Sequence, residues 1–127
     1  MTQNRPININ LLKIKLPLSA FLSITHRISG IIIFFIVLPV SVFIFSELTQ
    51  SQDSFNNFMI MYHKNLGIKF GCVGLILIFQ YHIFTGVRHI LMDFHILNAS
   101  LSSSYKSAVT TLVLFAVNAL LTLWVML

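Results

Sequence analysis

Three long apolar stretches, each free of charged residues, set the pattern of this chain. They cover residues 28–45, 70–87 and 107–127. A helix needs about 20 apolar residues to cross the hydrocarbon core of a bilayer, so each stretch is long enough for one span. None of them alternates apolar and polar residues at a period of two, as the strands of a transmembrane barrel do. The pattern therefore predicts an all-α integral membrane protein with three transmembrane helices.

The chain is predicted to form one membrane-anchor domain over residues 1–127. Pro17 suits the first turn of a helix, and no helix-breaking residue follows it before the first apolar stretch. Pro39 should kink this first helix, because proline removes a backbone hydrogen bond. We place an interfacial arm at about 1–16 and the helices at about 17–46, 66–93 and 105–127.

Composition and charge agree with a membrane protein. Hydrophobic residues make up 57% of the chain and charged residues 9%, whereas a soluble domain is about 25% charged. Two polar connections, residues 46–65 and 89–106, separate the three spans. Six of the eight Lys and Arg residues precede the first span or flank the second connection. By the positive-inside rule, this places the N-terminus in the cytoplasm and the C-terminus outside. The basic residues are too scattered to form a nucleic-acid-binding patch, so no nucleic-acid partner is expected.

The chain offers no catalytic apparatus of its own. It has no nucleotide-binding loop, no Ser/His/Asp order and a single cysteine, Cys72. One cysteine excludes an intrachain disulfide framework and a Cys-rich metal site. Binding of a cofactor or a quinone is therefore the chemistry to look for, and two polar clusters near the predicted cytoplasmic side are the candidates.

The first cluster is Ser23, His26 and Arg27, at the start of the first span. Residues three or four apart share a face of a helix, so a hydroxyl, an imidazole and a guanidinium should meet at the edge of the hydrocarbon. Charged groups at that depth cost free energy unless they are paired or hydrated, and they are usually functional. The alternative is that Arg27 only anchors the helix by reaching lipid phosphates.

The second cluster is His82, Gly86, Arg88 and His89. His82 and His89 lie two turns apart on one stripe, about 10.5 Å along the helix axis, and Gly86 leaves room on that stripe for a flat group. A haem needs this arrangement: an imidazole deep in the membrane for the iron, and cationic groups nearer the water for the propionates. The alternative is a buried histidine hydrogen-bonded to another helix, with Gly86 as a packing residue.

Only His82 lies deep in a span, so the second axial ligand of a bis-imidazole haem would have to come from a partner chain. Other polar residues have simpler interpretations. Gln80 and Asn118 are expected to form interhelical hydrogen bonds, and Asp93 is expected to pair with Arg88 or with a partner.

Three segments carry a resemblance to a known family. They are Arg5 to Asn10, Ser23 to Gly30, and the pattern His82-x3-Gly86-x-Arg88-His89-x3-Asp93. In this order, on three spans, they resemble the cytochrome b subunits of succinate dehydrogenase, the larger membrane anchor of respiratory complex II. The resemblance covers nearly the whole chain, and the Arg-Pro-Ile-Asn start is similar to the proteobacterial branch.

The resemblance implies a cofactor and a substrate. In the family, the histidine at the position of His82 is one axial ligand of a haem b that is shared with a second small membrane anchor. The residues expected near the haem propionates are His26, Arg88 and His89. The residues expected to line a ubiquinone pocket are Ser23 and Arg27.

The resemblance also implies partners and a location. Members anchor a flavoprotein subunit and an iron–sulfur subunit, together with the second anchor, and pass electrons from succinate to ubiquinone. A trimer of such heterotetramers is compatible with this. The location would be the bacterial inner membrane, or the mitochondrial inner membrane if the chain is organelle-encoded. Two other functions stay open: the anchor of a quinol:fumarate reductase, and a cofactor-free small membrane protein in assembly or transport.

Overall fold

The computed structural model describes residues 16–98 and 100–127, and this part of the chain is helical, without strands. The interfacial arm predicted at 1–16 lies outside it, apart from Leu16. The helices, numbered here in chain order, are α1 (Leu18–Gln50), α2 (Gln52–Lys64), α3 (Leu66–Asp93) and α4 (Leu101–Met126). Three of them, α1, α3 and α4, are long and apolar enough to cross a membrane, so the all-α prediction is confirmed.

Helix α1 loosens in the middle, immediately before Pro39. Residues Ile33–Val37 form a π-helical turn, in which the backbone N–H of Leu38 donates to the carbonyl of Ile33. A proline has no N–H to donate, and its ring crowds the carbonyl four residues earlier. A wider turn at this point accommodates the ring without ending the helix. The distortion predicted at Pro39 therefore takes the form of a π turn, and α1 continues to Gln50.

Helix α2 lies within a segment that the sequence analysis treated as a polar connection. Ser51 caps it, because the Ser51 hydroxyl accepts a hydrogen bond of 3.1 Å from the Ser54 backbone N–H. The Tyr62 hydroxyl donates to the Met126 carbonyl at 2.9 Å, which holds α2 against the end of α4. The available signal was the spacing of Phe55, Phe58 and Tyr62, which places apolar residues on one face of a helix.

Local capping sets the starts of the other two helices. Helix α3 begins at Leu66, where the Asn65 side chain accepts from two backbone N–H groups, at 2.9 and 3.3 Å. Its bounds coincide with the predicted segment 66–93. Helix α4 begins at Leu101 rather than at 105, because the Ser100 hydroxyl accepts from the Ser103 N–H and caps the helix earlier.

The interior of the described chain is small. Its buried apolar side chains are Leu22, Ile33, Val37, Val73 and Ala108. Large apolar side chains point outward instead, such as Phe35 and Trp124, which are 70% and 83% exposed. A surface this apolar needs lipid or other apolar helices around it. The predicted interhelical bond of Gln80 is confirmed, because its Nε2 donates to the Thr122 hydroxyl of α4 at 2.8 Å.

Candidate functional site

Three histidines meet where α1 packs against α3. The rings of His26 and His82 stack, with centroids 4.1 Å apart and planes inclined by 11°. The ring of His89 lies 5.1 Å from that of His26 at a tilt of 51°. The sequence placed His82 and His89 on one stripe of α3 and His26 in a separate cluster. The structure brings the two clusters together, since His26 contacts both histidines of α3.

Hydroxyl groups fix how the His82 ring is held. The Ser29 hydroxyl donates to the His26 carbonyl at 2.7 Å, and its oxygen lies 2.9 Å from Nδ1 of His82. A serine hydroxyl carries a single hydrogen, which the carbonyl already takes. The oxygen therefore accepts from Nδ1–H of His82. In the neutral ring this leaves Nε2 without a proton, as an acceptor or a metal ligand.

His26 is held in the same way by Thr85. The Thr85 hydroxyl donates to the Tyr81 carbonyl at 2.8 Å, and its oxygen lies 2.8 Å from Nδ1 of His26. The hydroxyl hydrogen again goes to a carbonyl, so Nδ1 of His26 is the donor and Nε2 of the neutral ring carries no proton. Thr85 is 1% exposed and Ser29 is 6% exposed, so both hydroxyl groups lie inside the helix contact.

Two glycines make room for the two rings. A Cβ atom on Gly30 would lie 3.2 Å from Cε1 of His82, and a Cβ atom on Gly86 would lie 3.1 Å from Cε1 of His26. Both distances are tighter than an ordinary van der Waals contact. The space that the sequence analysis assigned to a flat group beside Gly86 is therefore taken by the His26 ring in this structure.

These contacts form a reciprocal pair of motifs that the sequence analysis missed. His26, Ser29 and Gly30 on α1 have the spacing His-x2-Ser/Thr-Gly, and residues 82–86 on α3 repeat it. Because α1 and α3 run antiparallel, each histidine meets the hydroxyl and the glycine of the other motif. The five-residue repeat was the sequence signal that could have revealed this pairing. The contacts make Ser29 and Thr85 part of the site.

Ser23 and Arg27 lie at the edge of the same interface. Arg27 follows His26, which contacts α3, by one residue and is therefore turned aside from α3, and Ser23 follows the fully buried Leu22. Ser23 is half-buried and the Arg27 side chain is exposed. Between them along the helix, the Thr25 hydroxyl is hydrogen-bonded to the Tyr81 hydroxyl of α3. The Ser23 hydroxyl and the Arg27 guanidinium thus lie beside the histidine site but point away from it.

The side chain of Arg88, another predicted site residue, points toward α4. It is 3% exposed, and its guanidinium donates to the Ser107 hydroxyl at 3.1 Å and to the hydroxyl and carbonyl of Ser104, both at 3.2 Å. The expected partner Asp93 is exposed and is not among these acceptors. A buried guanidinium is costly unless its donors are satisfied, and the serines of α4 accept from Nε and Nη2.

Comparison with known proteins gives a consistent set of relatives. Residues 1–124 match the family described as the succinate dehydrogenase/fumarate reductase transmembrane subunit. A succinate dehydrogenase cytochrome b556 subunit from Coxiella burnetii is 34% identical over 93 residues, covering 73% of this chain and 74% of that protein. A succinate dehydrogenase cytochrome b560 subunit from Porphyra purpurea is 35% identical over 112 residues, covering 87% and 88%.

A third relative extends the same set. The succinate dehydrogenase cytochrome b560 subunit from Chondrus crispus is 33% identical over 100 residues, covering 72% of each chain. The family match spans nearly the entire chain, and the three apolar helices agree with it. The protein is thus an integral membrane protein, and it belongs to the family of succinate dehydrogenase/fumarate reductase transmembrane subunits.

Proposed function

We propose that this chain is the haem b- and ubiquinone-binding anchor of a succinate:ubiquinone oxidoreductase. The observation that carries the proposal is His82, a histidine inside α3 whose Nδ1 is held by Ser29. In the neutral ring its other nitrogen, Nε2, carries no proton and would be the one that binds iron. Relatives named as cytochrome b556 and b560 subunits support the same cofactor. Electrons from the iron–sulfur partner would reach ubiquinone at a site that this chain helps to form.

The residues present fit a haem that is shared with a second chain. Among residues 16–98 and 100–127, no group of three or more His, Cys, Asp or Glu side chains could hold a metal ion. A haem iron is already held by its macrocycle and needs only axial ligands from protein. His82 would supply one of them and the second small anchor the other. When bound, the haem supplies one-electron transfer.

Three further residues, His26, His89 and Arg88, were predicted to lie beside the haem. Their contacts support this role for the two histidines more than for Arg88. The His26 ring lies against those of His82 and His89, which places His26 next to the proposed ligand and His89 next to His26. His89 would donate a ring N–H to a propionate, and His26 would donate from Nε2 when its ring is protonated, because its Nδ1–H is taken by Thr85. Arg88 is the weaker candidate, because its hydrogen bonds go to Ser104 and Ser107 of α4.

Ser23 and Arg27 are proposed to bind the ubiquinone head group. A quinone carbonyl gains negative charge on reduction, and donors placed beside it stabilise that charge. A hydroxyl and a guanidinium supply such donors. Their position at the edge of the α1–α3 contact, with Arg27 exposed, suits a pocket that the iron–sulfur subunit closes. The same two groups would hold the head group while the isoprenoid tail lies in lipid.

The partners and the location follow from the same proposal. A flavoprotein subunit carries the dicarboxylate chemistry, an iron–sulfur subunit connects it to the membrane, and the second anchor and lipid cover the apolar helices. We place the complex in the bacterial inner membrane, with the N-terminus in the cytoplasm, or in the mitochondrial inner membrane for an organelle-encoded chain. The same chain would also serve as the anchor of a quinol:fumarate reductase, since the direction of catalysis depends on the partner subunits.

The test is a dithionite-reduced minus oxidised spectrum of the complex purified from membranes with its natural partners. We expect a low-spin b-type haem signal, with flavin copurifying. His82→Leu should abolish the signal, whereas His63→Leu, at an exposed histidine of α2, should leave it intact. Partners without haem in the wild type would remove His82 as a ligand. Neither haem nor partners would favour a cofactor-free membrane protein.

A further inference from the structure

The structure assigns Ser29 a role toward His82 that goes beyond packing. We propose that Ser29 is a positioning residue: its hydroxyl fixes the ring of His82 with Nε2 toward the iron and tunes how strongly that nitrogen donates to it. The inference rests on the proposed function, because it treats His82 as the haem ligand. It concerns a side chain on α1 that acts on a ligand carried by α3.

The geometry restricts Ser29 to one role. Its hydroxyl hydrogen points to the His26 carbonyl of its own helix, so its oxygen can only accept from Nδ1 of His82. The residue is 6% exposed, so its hydroxyl lies inside the contact between α1 and α3. Gly30, the next residue, leaves the space that the ring occupies, since its Cβ position lies 3.2 Å from Cε1. Orientation and proton position of the His82 ring are therefore both set by α1.

The hydrogen bond has an electronic consequence. A metal-bound imidazole that donates its other N–H is a more basic ligand, and it is fixed in tautomer and orientation. A more basic ligand stabilises ferric iron relative to ferrous iron and lowers the midpoint potential of the haem. Loss of the acceptor at Ser29 should therefore raise the midpoint potential while the iron keeps both axial ligands.

The reciprocal motif supplies a matched control. Thr85 makes the equivalent bond to His26, a histidine that is not the proposed iron ligand. Thr85→Val keeps the shape of the side chain and removes the hydroxyl. Ser29→Ala removes the hydroxyl from the ligand side. Comparing the two separates an effect on the ligand from the general effect of deleting a buried hydroxyl at this helix contact.

The experiment is a redox titration of the reduced haem band in the purified complex. We expect Ser29→Ala to keep the low-spin spectrum and to shift the midpoint potential upward. Ser29→Thr, which keeps a hydroxyl, should return the potential toward the wild-type value, and Thr85→Val, which removes the acceptor of the neighbouring His26, should shift the potential less than Ser29→Ala does. The haem content of each variant is measured on the same samples.

Three results of this titration would overturn the role given to Ser29. An unchanged potential in Ser29→Ala, in a complex that holds its haem, would overturn this inference and leave the proposed function intact. An equal shift in Thr85→Val would also overturn it, because the effect would then belong to the helix contact. Absence of haem from the wild-type complex would instead overturn the proposed function, and this inference with it.

Discussion

The imidazole rings of His26 and His82 lie face to face, 4.1 Å apart, and each is tied to the helix that carries the other. His26 of α1 donates to Thr85 of α3, and His82 of α3 donates to Ser29 of α1. The two helices are therefore joined by two crossed hydrogen bonds and a ring stack. This arrangement holds the proposed iron ligand by contacts to both helices.

The space at Gly30 should be required for the position of His82. Gly30→Ala puts a methyl group 3.2 Å from Cε1 of the ring, and overpacking of this kind typically costs about 1–3 kcal/mol. We expect the complex to lose its haem band at lower temperature and to hold less haem. Thermal loss of the reduced haem band measures this.

Gly74→Ala is the matched control, because a Cβ there meets nothing within 4 Å. Alanine also favours a helix over glycine by up to about 1 kcal/mol, so this variant should be as stable as the wild type or slightly more so. Equal behaviour of the two glycine variants would contradict the role given to Gly30.

Removal of the outward-facing donors should impair quinone chemistry selectively. For Ser23→Ala and Arg27→Leu, we expect ubiquinone reduction to fall by about tenfold or more, since a donor to developing negative charge contributes several kcal/mol. Succinate oxidation with a soluble dye should persist, because the dye takes electrons before the quinone site. Ser41→Ala, at an exposed serine farther along α1, serves as control, and unchanged quinone reduction in both test variants would refute the assignment.

Substitution of Arg88 distinguishes a role in joining α3 to α4 from a role in contacting a haem propionate. If its hydrogen bonds to Ser104 and Ser107 join α3 to α4, Arg88→Leu should lower stability by about 1–3 kcal/mol, the usual cost of losing hydrogen bonds to a charged group. Haem content should then fall only with stability, as judged from thermal loss of the haem band. Loss of haem from a complex of wild-type stability would instead favour a propionate contact.

The orientation in the membrane can be tested with single cysteines. In a Cys72→Ser background, Asp53→Cys lies on α2 and Ser102→Cys lies at the start of α4. The positive-inside rule places the first of these sites outside and the second in the cytoplasm. A membrane-impermeant maleimide should label position 53 in intact cells and position 102 only after lysis. The reverse pattern would show that the chain is inserted the other way round.

The sequence alone determined the helical spans and the family. Charge-free apolar runs predict α1, α3 and α4, and the cap at Asn65 coincides with the predicted start of α3. These features depend on residues close together in the chain, where a helix makes its own hydrogen bonds and apolar length sets the burial in lipid. Resemblance to a family likewise depends on motifs that can be read from the chain.

Only the tertiary structure decided which polar groups meet. His26 bonds to Thr85 across 59 positions of sequence, and Ser29 to His82 across 53. Arg88, one of the two expected partners of Asp93, instead reaches serines of α4. The physical reason is that such pairs depend on the register between antiparallel helices. That register is set by the packing of both surfaces together, which no single segment encodes.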